Sequence, residues 1–169
     1  MRPTQPHIAP SAPELIWFGG ADAIRFLNDL ISQEIGDLDP GSVRRSLLLT
    51  PQGKLDHIIW VLRGENEVGL IVEDGRGGDL AAKLGRYRIR VDVDIESSPI
   101  DTWLVVGSLE GAAGRWTGDR SGLVADVSWS SLPRSLVAGE RPSLPSLEVE
   151  DYETLRIEAG EPLMGVDVT

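Results

Sequence analysis

The sequence has 169 residues, 41% of them hydrophobic, a formal net charge of -11 and no cysteine. The lack of cysteine excludes a disulfide framework, a thiolate nucleophile and cysteine ligands for zinc or an iron–sulfur cluster, and the acidic balance argues against direct nucleic-acid binding. There is no long apolar run and no secretory signal, so we expect a globular, cytoplasmic protein that contacts no membrane. No metal site is expected, because two histidines cannot form one without carboxylates.

The chain begins with a proline-rich lead-in. Residues 1–13 contain four prolines, which predicts an extended, mobile segment. A short buried strand is expected at 15–18. Apolar residues then recur at helical spacing and predict an amphipathic helix over 21–31, with Leu27 on its buried face and Asn28 facing solvent.

The most informative segment is a predicted hairpin. Apolar runs at 46–49 and 55–61 flank Thr50-Pro51-Gln52-Gly53, where proline presets φ for a turn and glycine accepts a positive φ. Asp56 and His57 interrupt the second run, and a central strand tolerates such residues when they are paired or functional. The alternative is structural: Asp56 bonds turn amides, and His57 is a satisfied histidine at a strand edge.

A third strand at 68–72 completes a predicted meander, and Asp79 can cap a second helix with Tyr87 on its inner side. Apolar and charged residues alternate over 87–96, which predicts a half-exposed strand. Arginines within this segment and directly before it form a local basic patch that could meet an anionic ligand tail, although pairing with acids of neighbouring strands is the favoured interpretation. These arginines are Arg86, Arg88 and Arg90.

A break at Ser97-Ser98-Pro99 separates a second unit. Strands are expected at 102–106, 123–127 and 135–137, and a helix from 151 ends at Gly160. The sequence therefore predicts an α+β fold of two small subdomains, each a mainly antiparallel sheet with helices packed on one face. Their bounds are 14–97 and 98–169, after the lead-in of 1–13.

Three segments together resemble a known family. They are the helix around Asp22, the Thr-Pro-Gln-Gly hairpin, and Leu155 to Pro162, which reads Leu-Arg-Ile-Glu-Ala-Gly-Glu-Pro. In this order they resemble the YgfZ-type folate-binding proteins and the related glycine-cleavage T-protein, an aminomethyltransferase. The sequence ends at Thr169, before the Lys-Gly-Cys-x-x-Gly-Gln-Glu segment of YgfZ-type proteins. We expect either an N-terminal portion of a longer protein, with the second subdomain incomplete, or a shortened member of the family, and we favour the former.

The resemblance implies a site for tetrahydrofolate formed by Asp56, His57, Trp60 and Arg156. Asp56 would accept hydrogen bonds from the pterin edge, and Arg156 would hold the glutamate tail, unless Arg156 is a structural ion pair with Glu153 or another acid. It also implies a role in the assembly or repair of iron–sulfur proteins, which would be the protein partners.

The alternatives are an aminomethyltransferase and an interaction domain that binds no folate. T-proteins carry two adjacent acids after the hairpin turn, whereas Asp56 is followed by His57 and Ile58. No catalytic residue is therefore assigned, and the binding protein is favoured over the transferase.

Overall fold

The computed structural model describes residues 5–111 and 113–168. They form two units, one consisting of Glu14–Pro99 and the other combining the lead-in with the chain from Ile100 onward. The described residues form thirteen helices and strands, in chain order β1 (His7–Ile8), β2 (Glu14–Gly19), α1 (Ala23–Asn28), β3 (Val43–Leu49), β4 (Leu55–Arg63), β5 (Val68–Val72), α2 (Gly77–Gly85), β6 (Asp94–Ser97), β7 (Thr102–Val106), β8 (Trp116–Asp119), β9 (Gly122–Asp126), β10 (Arg134–Ala138) and α3 (Val149–Glu158).

The unit of Glu14–Pro99 is built on an antiparallel sheet of order β3-β4-β5-β2-β6. Alternate residues of its strands enter one apolar core, because successive side chains of a strand point to opposite faces. Leu27 of α1 and Leu80 and Leu84 of α2 are fully buried in the same core. The strand residues of that core are Ile16, Phe18, Leu48, Ile59, Val61, Val68, Leu70 and Val72.

The predicted hairpin is confirmed. β3 and β4 pair antiparallel, and the turn is closed by hydrogen bonds from the Thr50 N–H to the Lys54 carbonyl and from the Gly53 N–H to the Thr50 carbonyl, both 2.8 Å. Gly53 has φ 77°, the positive value for which glycine was expected. The strand at 15–18, the meander through β5 and a helix within 21–31 are also confirmed.

The predicted strand over 87–96 is wrong for most of its length. Only Asp94–Ser97 is a strand, and Arg90 adopts a left-handed φ of 57° that breaks an extended backbone. α2 begins at Gly77 rather than at Asp79 and ends at Gly85, so Tyr87 lies beyond it and is exposed. The alternation of apolar and charged residues did not reveal that the chain first turns after the end of α2 and enters the sheet only at Asp94.

The second unit contains a sheet of order β1-β7-β10-β9-β8, also antiparallel. The prediction of a mobile lead-in is wrong for its described part, because β1 pairs with β7 and Ile8 and Ala9 are buried. Residues 1–4 of the lead-in lie outside the described residues. α3 is followed by Gly160 at φ 70°, so the predicted helix and its glycine stop are confirmed. No helix in the described ranges is long and apolar enough to cross a membrane.

Asn28 is not a simple solvent-facing residue, contrary to the sequence-based expectation. Its Oδ1 accepts hydrogen bonds from the backbone N–H groups of Ile35, at 2.7 Å, and Gly36, at 3.1 Å. Its Nδ2 donates to Glu34. Helical periodicity identifies the exposed face of α1, but it does not show that the chain returns over that face.

We predict that Leu27→Ala costs about 2–5 kcal/mol of unfolding free energy, since Leu27 is fully buried in the core. Asn28→Ala should cost about 1–3 kcal/mol, because the Ile35 N–H loses its acceptor and the Gly36 N–H keeps only Glu34. Asp29→Ala, at the exposed end of α1, is the matched control and should cost about 0.5 kcal/mol or less. Urea unfolding measures all three. An Asn28 variant as stable as the Asp29 variant would contradict a stabilising role of the hydrogen bonds that the Asn28 side chain accepts.

Candidate functional site

The polar site begins with a bulge in β4. Leu48 pairs with His57 and Leu49 pairs with Leu55, so Asp56 is an extra residue without a partner on β3. A bulge re-aims the side chains beside it and is common next to binding sites. This placement brings the side chains of Asp56 and His57 to the same neighbours on α2, although alternation would separate them.

Two cations of the α2 region hold the Asp56 carboxylate. Lys83 Nζ lies 2.9 Å from Asp56 Oδ1 and 2.8 Å from Oδ2, and Arg76 Nη2 lies 3.2 Å from Oδ1. Asp79 bridges the same cations, with its Oδ2 2.9 Å from Lys83 Nζ and 3.0 Å from Arg76 Nη2. Asp79 and Lys83 are four residues apart and therefore neighbours on one helix face. The network joins the start of β4 to α2.

His57 lies beneath this network with a fully buried side chain. Its Nε2 is 3.3 Å from Asp79 Oδ2 and 3.9 Å from Asp56 Oδ1, and its Nδ1 is 4.0 Å from Asp74 Oδ2. Among the described residues, neither ring nitrogen has a hydrogen-bond partner of acceptable geometry. A buried group of this kind is costly to charge.

The charges of the network move the pKa values in opposite directions. Burial raises the pKa of Asp56, but the hydrogen bonds from Lys83 and Arg76 outweigh burial and leave the pKa below its ordinary value. Burial lowers the pKa of His57, and the nearby Arg76 lowers it further against the opposing effect of Asp56 and Asp74. At neutral pH Asp56 is therefore a carboxylate and His57 is uncharged.

A cavity of about 330 Å³ lies beside Asp56 in the unit of Glu14–Pro99. Asp56 and Lys83 supply polar groups, and the rest of the wall is largely apolar. The hairpin turn forms one side and the end of α2 another. The lining residues are Leu30, Leu48, Leu49, Thr50, Pro51, Gln52, Asp56, Lys83, Leu84, Arg86 and Tyr87.

Asp56, His57 and Asp79 bring three donor atoms within 4.8 Å of one another, which is a plausible donor set for a metal ion. Arg76 Nη2 and Lys83 Nζ already contact the two carboxylates at 2.8–3.2 Å. A divalent ion would have to displace these cations or be repelled by them. The side chains present do not fit a metal, and the protein's own cations fill that position.

The other two expected site residues lie elsewhere. Trp60 is buried on β4, where alternation places it on the opposite face from Ile59, and its indole N–H donates to Glu73 at 3.1 Å. It is not among the residues that line the cavity.

Arg156 belongs to the second unit and is almost fully buried in α3. It donates to Glu153, to Asp167 at 2.7 Å and to the Glu161 carbonyl, and the hydrogen bonds to Glu153 raise its pKa. Arg156 thus forms the ion pair with Glu153 that was the alternative to a role in binding the glutamate tail. A role for Arg156 in folate binding stays a prediction.

Arg76 and Lys83 were missed as site residues because neither lies near Asp56 in sequence. The spacing of Asp79 and Lys83 in the sequence predicts an ion pair on the helix surface. The sequence does not predict the bulge that brings Asp56 to this pair. The favoured pairing of Arg86 and Arg90 with sheet acids is also wrong, because neither guanidinium has a hydrogen bond or ion pair within the described residues.

The fold and the polar cavity together define an α+β protein with antiparallel sheets and a candidate small-molecule site. The chain resembles the crystal structure of glycine cleavage system aminomethyltransferase T from Bartonella henselae, with a TM-score of 0.69 and 13% identity. The similarity covers 91% of this chain and 45% of that one, so the chain spans less than half of that protein. It has the T-protein fold. No family model and no curated protein matches.

We predict that His57 makes folding stability depend on pH. The unfolded histidine has a pKa near 6.5 and the folded pKa is lower. The unfolded state therefore binds more protons in this window, and the free energy of unfolding should fall as pH decreases from about 6.5 through the folded pKa. His57→Gln, which cannot titrate, should flatten this part of the profile.

Urea unfolding at pH values between about 7.5 and 5 measures the profile. His7→Gln is the matched control, because it removes the other histidine of the sequence and should keep the wild-type slope. A His57 variant with an unchanged slope would contradict a neutral buried His57.

Proposed function

We propose that this chain binds a reduced folate in the cavity beside Asp56. The single observation that carries the proposal is an ionised, partly buried carboxylate at the wall of an apolar cavity, within a T-protein fold. A pterin ring has apolar faces, and its edge offers an amino group and an N–H as donors. Such a ligand requires apolar walls and one well-placed acceptor.

The dimensions of the cavity agree with this ligand class. Its volume of about 330 Å³ is at the lower end of small-molecule sites, which suits the bicyclic head of a folate with the rest of the molecule outside. Leu48 and Leu84 form the wall of the cavity that faces the core. Leu49 and Tyr87 also line the cavity, and 44% and 54% of their surfaces are exposed to solvent. Exposed apolar groups at a cavity gain most from covering by a flat ring.

Asp56 keeps acceptor capacity in spite of its two cations. A carboxylate offers about four lone-pair positions. Oδ1 accepts from Arg76 and Lys83, whereas Lys83 is the one donor to Oδ2 in the part of the chain that the structure describes. The remaining position on Oδ2 can take a pterin donor, and the cations keep Asp56 in the ionised form that accepts most strongly.

The same electrostatics favour binding over catalysis. A general base works best with a pKa near the operating pH, and the pKa of Asp56 is lowered, away from that range. His57 is buried, and the acid pair of the T-proteins is not kept whether its second acid aligns with His57 or with Ile58. We therefore favour a non-catalytic folate-binding protein of the YgfZ type, with iron–sulfur proteins under assembly or repair as its partners. An aminomethyltransferase is the second candidate, since the similar structure carries that name.

Asp56→Asn should weaken tetrahydrofolate binding by about 10-fold to 100-fold, because a hydrogen bond to a charged acceptor contributes roughly 1.5–3 kcal/mol. Isothermal titration calorimetry measures the effect. Asp29→Asn removes an exposed acid of the same unit and should leave affinity unchanged. Circular dichroism melts of both variants verify that they are folded.

Three results of this titration are informative. Binding that depends on Asp56 supports the proposed function and its site. Binding that survives Asp56→Asn supports folate binding at another site. A wild type that releases no heat, and shows no binding by equilibrium dialysis, leaves an interaction domain that binds no folate.

The chain should not form methylenetetrahydrofolate from tetrahydrofolate and an aminomethylated carrier above the uncatalysed rate. General acid–base catalysis typically contributes ~10²–10⁴-fold, and the acid pair that would supply it is replaced. An absorbance assay with purified protein measures this, with a T-protein as the positive control. Turnover that is lost in Asp56→Asn would establish the transferase instead.

A further inference from the structure

The buried imidazole of His57 has a carboxylate oxygen beside each of its two ring nitrogens. Nε2 lies 3.3 Å from Asp79 Oδ2, and Nδ1 lies 4.0 Å from Asp74 Oδ2. Asp74 Oδ2 is itself buried and, like both ring nitrogens, has no hydrogen-bond partner among the described residues. A neutral imidazole carries one N–H and can serve one of these oxygens, whereas an imidazolium carries two. The surroundings of the ring therefore offer acceptors to both N–H groups of its protonated form.

The charges around the ring can also accommodate a proton. The charged groups that face it come from β4, from the segment between β5 and α2, and from α2; they are Asp56, Asp74, Arg76, Asp79 and Lys83. Opposite His57 on β3 lies the apolar Leu48. With neutral His57 the three acids exceed the two cations by one charge, and a proton on the ring balances them. Balanced neighbours reduce the cost of charging a buried group.

The oxygen that faces Nε2 is already shared by two cations. Lys83 Nζ lies 2.9 Å and Arg76 Nη2 lies 3.0 Å from Asp79 Oδ2. A carboxylate oxygen has about two lone-pair positions, so a third donor from the imidazolium must displace one of these cations. Arg76 is anchored again through Nη1, at 2.9 Å from the Asp56 carbonyl, and its guanidinium is rigid. Lys83 has a flexible stem and can leave Asp79 while it keeps both oxygens of Asp56.

We infer that His57 is a proton-operated switch: the imidazolium takes Asp79 Oδ2, Lys83 releases it, and one N–H of the Lys83 ammonium becomes free beside the cavity that Lys83 lines. Solvent supplies the proton, and Lys83 keeps its own. The hydrogen bond from Lys83 is the main cause that holds the pKa of Asp79 below its ordinary value, and the imidazolium replaces that cation. Asp79 therefore stays a carboxylate while His57 titrates.

The switch makes ligand binding depend on pH, a consequence that rests on the proposed function. The donors of a pterin edge are attracted by the excess negative charge around Asp56, and a proton on His57 removes that excess. Ligand and proton therefore oppose each other, and the opposition is reciprocal. The affinity for tetrahydrofolate should be highest with neutral His57. It should fall about fivefold as pH decreases through the folded pKa of His57, a change at the low end of coupling between two sites.

The switch itself can be tested without a ligand, because the sequence contains two histidines and two lysines: His7, His57, Lys54 and Lys83. Heteronuclear NMR of the imidazole and ammonium nitrogens follows all four between about pH 7.5 and 5. We expect the Lys83 signal to change with the same midpoint as His57. Lys54 is the internal control and should show no change at that midpoint.

Two variants separate the switch from a general effect of acid. In His57→Gln the change at Lys83 should disappear. Asp74→Asn removes a charge that receives the imidazolium but keeps the Oδ1 acceptor of the Arg76 N–H, so the His57 midpoint should move to lower pH. Asp29→Asn, at the exposed end of α1, should leave the midpoint unchanged. A Lys83 signal that ignores the His57 midpoint, or a His57 that stays neutral until the protein unfolds, would overturn the switch.

Calorimetry with tetrahydrofolate on the full chain, above and below the His57 midpoint, tests the coupling to binding. The wild type should lose affinity at the lower pH more than His57→Gln does, because titration of the ligand itself is common to both proteins. Circular dichroism verifies that both are folded at each pH. Equal losses would overturn the coupling while folate binding stands. If no folate binds at neutral pH, the proposed function fails, and the NMR titration still decides the switch.

Discussion

The ion pair between Asp56 and Lys83 is the contact on which the organisation of the candidate site depends. It joins the bulged start of β4 to α2, and it is reinforced by Arg76. The cavity lies between these same two elements, so its polar wall exists only while they stay together. Burial of the Asp56 carboxylate costs desolvation free energy, and the hydrogen bonds from Arg76 and Lys83 offset this cost. His57 remains neutral beneath them because burial and the nearby Arg76 lower its pKa.

We propose that this arrangement serves binding rather than chemistry. A carboxylate between two cations is a strong acceptor and a weak base, and a fully buried neutral histidine has no exposed nitrogen to exchange protons with a ligand. The cations also account for the unsuitability of the Asp56, His57 and Asp79 cluster for a metal ion. The cationic side chains of this stretch have different surroundings. Arg76 and Lys83 hold Asp56, and Arg88 donates to a backbone carbonyl of the turn after α2. Arg86 and Arg90 are exposed to solvent.

The candidate site was only partly accessible to sequence reasoning. Asp56 and His57 stood out because charged and titratable residues in an apolar strand need an explanation. Arg76 and Lys83 could not be assigned to them, because the contact joins residues at least 20 positions apart through a bulge that pairing patterns do not reveal. Arg156 was a reasonable candidate by residue type. Glu153, three residues before it on α3, was already named from the sequence as a possible partner, whereas Asp167 contacts the guanidinium only when the turn after α3 is formed.

The sequence by itself determined the local elements: the turn at Thr50 to Gly53, the apolar face of α1, and the end of α3 at Gly160. In each, the signal lies within a few residues, because a turn dihedral, a helical repeat or a left-handed stop is a property of short segments. Tertiary structure decided that the lead-in pairs with β7, that residues 87–93 leave the sheet, and that Asp56 turns toward α2. These outcomes depend on which distant surfaces compete for the same backbone hydrogen bonds and charges, and local pattern carries no information about that competition.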